Sequence, residues 1–219
     1  MKQYYFRLFL VPVIALMSFT LNAQIQKAQY SVKNLDSLLA KKVIYPLDAL
    51  RNSDEGDVII SFSVTKDGKL ENPGIVKTSN FLLSKTSLDA VKWINERWVP
   101  AKDGDIPISK KYLVVFRYRI YFNSSPPKYK PGAEKQYNKG NYPKTLKIYD
   151  DAIEENPYDK DLFFARSKTK EALGDTAGAA NDIAEYNRLN EEIMAVVDIY
   201  AIATQKTVVR TVNSTVRTM

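Results

Sequence analysis

The sequence predicts an α+β domain over residues 24–122, followed by an all-α helical-hairpin domain over residues 132–203. Three observations support this division. Strand-like alternation mixes with helical periodicity before residue 123, and only helical periodicity follows residue 131. Between them, two consecutive prolines among small polar residues are typical of a short, stiff linker. We therefore place the linker at residues 123–131.

The first half of the α+β domain predicts a helix and a β-hairpin. Pro46 favours a helix that begins immediately after it, because the first turn of a helix does not use the missing N–H. Alternating apolar and polar residues over 57–65 predict a half-buried strand. Asp67-Gly68 favours a tight turn. A second, antiparallel strand is therefore expected near residues 74–79.

The second half of this domain predicts one more helix and one more strand. Thr86 or Ser87 can cap a helix that Pro100 ends. A third strand is expected from Lys111 to Phe122, with alternate residues on opposite faces. The domain should thus contain a three-stranded antiparallel sheet and two helices. The apolar face of the second helix would consist of Leu88, Val91, Ile94 and Trp98.

Several short motifs follow one another across these elements. In this order and spacing they resemble the TonB C-terminal domain, which implies the same α+β fold. The motifs are Tyr45-Pro46-x-x-Ala49, Gly56-Asp57-Val58, Val64-x-x-Asp67-Gly68, Leu88-Asp89, Trp98-x-Pro100-Ala101, Gly104 and the closing strand around Phe116.

The resemblance implies a mode of binding. In the TonB C-terminal domain the third strand lies at the sheet edge and accepts an extended segment of an outer-membrane receptor. Arg117 and Arg119 would project from this edge on the side away from the core, where they would both discourage self-pairing and favour an acidic partner. The alternative is that they are only solubilising gatekeepers. The peptide-binding edge would comprise Tyr112, Leu113, Val115, Arg117, Arg119 and Tyr121.

The chain also departs from an energy-transducing TonB protein. It contains no histidine, and no proline-rich spacer separates Ala23 from Tyr45. The domain that should end the chain is followed by another. These departures argue against proton-motive energy transduction.

The second domain shows an internal repeat. Gly140 and Gly174 lie 34 residues apart, and the small residues Thr145 and Ala179 have the same separation. A 34-residue period resembles a pair of tetratricopeptide (TPR) repeats. Four helices are expected, near residues 132–139, 142–155, 160–173 and 176–190.

Two repeats need a cover for their exposed apolar face. Residues 191–203 carry apolar side chains at helical spacing and are expected to form a capping helix. Alternatively, this stripe docks on a partner or on the first domain. Residues 204–219 are expected to form a flexible tail. The stripe consists of Ile193, Val196, Val197 and Tyr200.

The N-terminal residues 1–23 are typical of a secretory signal peptide. Lys2 and Arg7 precede an apolar run from Leu8 to Leu21, which is short for a membrane span, and Ala23 offers a cleavage position. The alternative is an uncleaved anchor. We expect secretion across the inner membrane into the periplasm, with at most peripheral membrane contact.

The composition argues against an enzyme. The chain lacks histidine and cysteine, which excludes His-based triads, thiol nucleophiles, thiolate metal sites and disulfides. The acidic pairs at 150–151 and 154–155 follow Lys144 and Lys147 on one helix and indicate a solvated surface. The net charge of +7 shows no basic run, so nucleic-acid binding is not expected. No cofactor or metal is expected.

The predicted function is therefore protein–protein interaction in the cell envelope. The TonB-like edge strand would accept a partner peptide, for example from an outer-membrane receptor, and the TPR-like helices would bind or position a second partner. The alternative is an accessory or transducer in TonB-linked outer-membrane receptor transport.

Overall fold

The computed structural model describes residues 25–32 and 34–203, so the expected signal peptide and tail lie outside the described residues. The helices are α1 (Leu35–Ala40), α2 (Leu47–Asn52), α3 (Phe81–Trp93), α4 (Tyr129–Tyr137), α5 (Tyr142–Glu155), α6 (Lys160–Ala172) and α7 (Thr176–Glu192). The strands are β1 (Gln29–Tyr30), β2 (Gly56–Val64), β3 (Leu70–Lys77), β4 (Trp98–Val99), β5 (Ala101–Asp103), β6 (Ile106–Ile108), β7 (Lys110–Phe122) and β8 (Ile193–Ala203). None of the helices in this part of the chain has the length and apolar character needed to cross a bilayer.

The main sheet has four strands in the order β3-β2-β7-β8. β2 pairs antiparallel with β3 and with β7, whereas β7 and β8 are parallel. Two small two-stranded ladders, β1 with β4 and β5 with β6, lie outside it. The three predicted strands are present, and β8 adds a fourth that the sequence analysis assigned to a helix.

One face of the main sheet carries the hydrophobic core, and the helices α1 to α3 contribute to it. Alternate residues of β2 and β7 point into this core, as the period-2 pattern predicted. Trp98 packs on Phe62 with ring centroids 5.4 Å apart, and its indole N–H donates to the carbonyl of Ile94 at 2.8 Å. The buried core side chains of the two strands are Val58, Ile60, Phe62, Val64, Tyr112, Val114, Phe116 and Tyr118.

Helix α3 differs from its predicted bounds at both ends. It begins at Phe81 because the Asn80 side chain accepts a hydrogen bond from the N–H of Leu82 at 2.7 Å. The predicted cap Ser87 instead lies inside the helix, and its hydroxyl is 2.8 Å from that of Tyr118. Trp98 belongs to a strand, because the chain leaves the helix before Arg97, whose φ is 74°.

The predicted hairpin turn is correct, and its second strand begins earlier than expected. Gly68 has φ +73°, and a Cβ there would lie 2.3 Å from the carbonyl oxygen of Trp98. Glycine is therefore required both for the turn and for the close approach of the backbone. β3 follows directly, from Leu70.

The helices α4 to α7 form successive packed pairs. The predicted positions of all four helices agree with the structure to within about three residues. Gly140 and Gly174, with φ of 72° and 80°, make the turns before α5 and α7. Between α6 and α7, the buried Asp182 carboxylate accepts hydrogen bonds from Arg166 at 2.7 Å and is 3.0 Å from the ammonium of Lys170.

The predicted capping helix over residues 191–203 is wrong. Helix α7 continues to Glu192, and the chain then passes directly into β8. Ala195, Val197 and Ile199 join the core of the first domain instead of covering the helical pairs. Residues assigned from the sequence to the second domain thus complete the sheet of the first.

Candidate functional site

The predicted peptide-binding residues all lie on β7, but β7 is not an edge strand. It is paired from Lys110 to Tyr118 with β2 on one side, and from Leu113 to Phe122 with β8 on the other. Tyr112 points into the core, where its hydroxyl accepts the N–H of Ala28 at 2.9 Å. The free edge expected at Leu113, Val115, Arg117, Arg119 and Tyr121 is therefore occupied by the chain itself.

Strand β8 is built into the sheet too firmly to be a loose occupant of that edge. Val114 to Phe122 pair in unbroken register with Ala195 to Ala203. Val197 and Ile199 are buried, and each such side chain contributes about 1.5–3 kcal/mol. Removing β8 would expose both side chains and open the whole ladder.

Arg117 ties three elements together on the sheet face opposite the core. One guanidinium nitrogen donates to the Asp198 carboxylate of β8 at 2.6 Å, and another donates to the carbonyl of Glu155, the last residue of α5, at 2.8 Å. The Arg117 side chain is only 6% exposed, and its Nε has no hydrogen-bond partner. This arginine is held by the chain's own acceptors.

Arg119 is satisfied in the same way. Its guanidinium donates to the Asp57 carboxylate at 2.9 Å and to the carbonyl of Tyr118 at 3.0 Å. The acidic groups that the two arginines were expected to find on a partner are thus Asp57 and Asp198 of this chain. Neither arginine is a gatekeeper on an open edge.

The Glu155 side chain binds two tyrosines beside these arginines. Its carboxylate accepts the hydroxyls of Tyr121 at 2.8 Å and Tyr129 at 2.6 Å. Burial, followed by the hydrogen bond to Glu155, raises the pKa of Tyr121 to about 12. The hydrogen bond to Glu155, followed by burial, raises the pKa of Tyr129 to about 12.

These groups line a cavity of about 450 Å³ between the sheet and the helices α4 to α6. Its walls combine aromatic and proline side chains with charges of both signs. Representative lining residues are Arg117, Tyr121, Tyr129, Leu162 and Tyr200. The shape admits a side chain or a short peptide, but the balanced charges select no particular ligand.

The free edge at this end of the sheet belongs to β8. Within residues 25–32 and 34–203, β8 pairs with no strand other than β7. The carbonyl of Ala203 accepts the N–H of Asn123 on the β7 side. Because backbone groups alternate in direction along a strand, Val196, Asp198, Tyr200 and Ile202 turn their N–H and C=O groups away from β7. These groups form a row that a further strand could pair with.

A groove of about 410 Å³ runs beside the first half of this edge. Leu35 and Asp36 of α1 form one wall, and the segment from Tyr158 to Asp161 at the start of α6 forms the other. The groove also contacts β8 from Ile193 to Val196 and at Asp198. An extended chain entering it would meet the strand edge between two helical walls.

Charged side chains of both signs line the groove, and the negative ones predominate. Four aspartates face two lysines, Lys27 and Lys160. Burial raises the pKa of Asp159, although its carboxylate caps α6 by accepting the N–H of Asp161. The aspartates are Asp36, Asp159, Asp161 and Asp198.

Lys27 closes one end of the groove. Its ammonium donates to the carbonyls of Asn190 at 2.8 Å and Ile193 at 2.5 Å, where α7 becomes β8. Burial, followed by the positive charges of Lys160 and Lys110, lowers the pKa of Lys27 to about 8. Lys27 therefore titrates closer to the physiological range than an ordinary lysine does.

Sequence reasoning missed β8 and the groove beside it. The helical spacing of Ile193, Val196, Val197 and Tyr200 favoured a helix, but the segment is also rich in β-branched residues, which favour strands. That composition was the available signal. Asp36 and Asp161 carry no motif and come together only through the fold.

Comparisons with known proteins give a family match for one part of the chain. Residues 41–120 match the model of the family described as Gram-negative bacterial TonB protein C-terminal. The matched segment includes β2, β3, α3 and most of β7, and it ends before the helices α4 to α7 and β8. The resemblance found in the sequence is thus confirmed for the TonB C-terminal domain, while the TPR resemblance stays a prediction.

One curated protein and two solved structures are also similar to this chain. Protein TonB of Campylobacter coli is 31% identical over 68 residues, covering 31% of this chain and 29% of that protein. Two NMR solution structures of the Helicobacter pylori TonB C-terminal domain are 21% identical, cover 39% of this chain and 88% and 78% of theirs, and have TM-scores of 0.30 and 0.28. The chain spans less than a third of the length of the curated relative.

Proposed function

We propose that this chain is a non-catalytic protein–protein interaction module of the Gram-negative envelope, which accepts an extended partner segment on the outer edge of β8. The carrying observation is the regular row of β8 backbone groups beside a groove, with which no strand of the described residues pairs. Strand addition needs only such a row and space beside it. The proposal moves the docking edge one strand outward from β7.

The similarity to TonB supports the envelope setting and the interaction role. Export to the periplasm by an N-terminal signal peptide is part of the proposal and follows from the sequence of residues 1–23. In this scheme the six predicted β7 residues do not contact the partner through their backbone. They instead hold β8 and the helices in place.

The helices α4 to α7 are proposed to act as a pair of TPR-like hairpins that position or bind a second partner. The 34-residue spacing of Gly140 and Gly174, both at helix–helix turns, supports the repeat. The cavity that α4 to α6 enclose with Tyr121 and Tyr200 offers a place for a side chain of that partner.

A second candidate function is an accessory or transducer role in TonB-linked outer-membrane receptor transport. It is favoured by the match of residues 41–120 to the TonB C-terminal model. A deletion strain should then lose receptor-dependent uptake of a nutrient that normally enters through such receptors. Normal uptake would remove this candidate and leave the interaction role.

The interaction role can be tested by site-specific photocrosslinking in the intact envelope. A photoreactive amino acid is placed on β8 at Ile202, a residue that is 55% exposed, and the chain is irradiated in cells. We expect a discrete adduct with one envelope protein, identified by mass spectrometry.

The matched control places the same amino acid at Ile106, an apolar residue of the β5–β6 hairpin that is more exposed than Ile202, at 69%. This position lies outside the β8 groove and should yield no such adduct. Absence of an adduct at Ile202, or identical adducts at both positions, would overturn the proposed function.

A further inference from the structure

We infer that the β8 groove selects a positively charged extended segment, with lysine or arginine at every second position. This inference rests on the proposed function and adds the chemistry of the partner. It reverses the sequence-based expectation of an acidic partner, which assumed that Arg117 and Arg119 faced outward from a free β7 edge.

The backbone of β8 defines how such a segment would lie. Val196 and Asp198 turn their N–H and C=O groups into the groove, and the edge continues outward through Tyr200 and Ile202. A strand paired here would extend the sheet beyond β8. Its side chains would alternate between the α1 side and the α6 side of the sheet.

The two sides of the groove differ in chemistry. The α1 side offers the apolar Leu35 together with Asp36, whereas the α6 side offers Asp159 and Asp161 together with Asp198 of β8. Asp159 and Asp161 therefore face one set of alternate side chains, together with Asp198, whose carboxylate is already paired with Arg117. A segment with basic residues in this set and apolar residues in the other fits both walls.

The groove lysines reduce this negative charge, but neither forms an ion pair with a groove aspartate. The ammonium of Lys27 is engaged with the carbonyls of Asn190 and Ile193, and that of Lys160 donates to the Asn190 side chain. Asp36 and Asp161 are exposed, and neither forms an ion pair with another described residue. Two carboxylates are thus left for a partner's cations.

The test measures binding of synthetic peptides to the full chain by fluorescence anisotropy at low salt. One nine-residue peptide alternates lysine and valine, and a second carries glutamate in place of lysine. We expect the lysine peptide to bind at least about tenfold more tightly than the glutamate peptide. Because the attraction is electrostatic, the difference should shrink in 0.5 M salt.

Two variants assign the binding to the groove. Val196→Pro removes an N–H that faces away from β7 and leaves the β7–β8 ladder intact. It should therefore lower the affinity for the lysine peptide by at least about tenfold. The double variant Asp36→Lys, Asp161→Lys should lower the affinity for the lysine peptide about fivefold or more. Its control, Asp89→Lys with Asp105→Lys, makes the same charge change at exposed positions outside the groove and should bind as the parent chain does.

The outcomes separate this inference from the proposed function. Equal or tighter binding of the glutamate peptide overturns the inference. If neither peptide binds while the Ile202 adduct persists, the inference fails and the interaction role stands. A dimer of the chain that Val196→Pro dissociates would show that a second copy occupies the edge, which also overturns it. If Val196→Pro fails to fold, the two charge variants decide.

Discussion

The two edges of the main sheet, β3 and β8, differ in the backbone features that control strand addition. Along β3, Pro73 cannot donate a hydrogen bond, Asn72 has a φ of 52°, and the pairing with β2 shifts register twice. Along β8, residues Ala195 to Ala203 contain no proline or glycine and pair in unbroken register. The first edge is interrupted and the second is continuous.

This difference indicates which edge is protected and which is available. Proline, bulges and short edges are the devices by which proteins prevent a sheet from pairing with another chain. They are concentrated on β3, where Ile75 and Val76 are exposed and would otherwise invite pairing. The β8 edge lacks them and instead lies beside a groove whose lining includes four aspartates and two lysines.

Proline substitutions at neighbouring positions of β8 should have the largest effects on stability, and they distinguish the paired side of this strand from its outer side. Val197 turns its N–H toward β7 and is buried, so Val197→Pro should lower the free energy of unfolding by about 3 kcal/mol or more. Val196→Pro should cost less than half of that, because its N–H faces the free side. Urea denaturation followed by circular dichroism measures both.

The same pair of substitutions tests which residues of β8 turn their N–H groups toward β7. If the two variants lose equal stability, or if Val196→Pro loses more, then the backbone alternation assigned to β8 from the Ala203 hydrogen bond is incorrect. Val76→Pro on β3 provides a comparison on the interrupted edge.

The contrast also explains what the sequence could and could not predict. The β2 strand, the Asp67-Gly68 turn and the β7 strand follow from local alternation and turn chemistry, and all were predicted. The apolar run from Ile193 to Ala203 is compatible with a helix or a buried strand, because such runs carry no decisive period. Pairing with β7 makes this run a strand. That pairing is a tertiary contact that the local sequence does not encode.

The groove was beyond prediction for a related reason. Asp36 and Asp161 are separated by more than a hundred residues, and they line one groove because β8 carries the helical pairs back to the first domain. Conversely, Arg117 and Arg119 were correctly placed on the face opposite the core. Their expected role failed because Asp198 and Asp57 already pair with them.

The two edges also differ in that an ion pair links β7 to β8, whereas none links β2 to β3 among the described residues. Removing this ion pair should have a smaller effect than the proline substitutions. The Asp198 side chain is 60% exposed, whereas that of Arg117 is 6% exposed. Asp198→Ala leaves a buried guanidinium with only the Glu155 carbonyl, so it should lower the free energy of unfolding by about 1–2 kcal/mol.

Arg117→Met is the matched variant, because it removes the buried charge together with its unsatisfied Nε and keeps an apolar side chain of similar length. It should cost less than Asp198→Ala, within about 1 kcal/mol. Thermal and urea unfolding of both variants and of the double variant give the coupling energy. A larger loss for Arg117→Met would contradict this assignment of the burial cost.

The smallest effect concerns Lys27 at the end of the β8 groove. Its pKa is about 8 in the folded chain and about 10.5 when unfolded, so the unfolded chain binds more protons between these values. The free energy of unfolding should therefore rise with pH in this window, by less than about 1 kcal/mol because Lys27 is partly solvated. The measurement should stop near pH 9.5, since tyrosines titrate above it.

Deprotonation of Lys27 should also sharpen the selectivity of the groove. Peptide lysines stay charged at pH 9, whereas Lys27 loses its charge, which leaves Asp36, Asp159 and Asp161 opposed only by Lys160. The lysine peptide should then bind about twofold more tightly at pH 9 than at pH 7. In Lys27→Met this pH dependence should disappear from both affinity and stability. An unchanged pH dependence in Lys27→Met would contradict the assignment of the effect to Lys27.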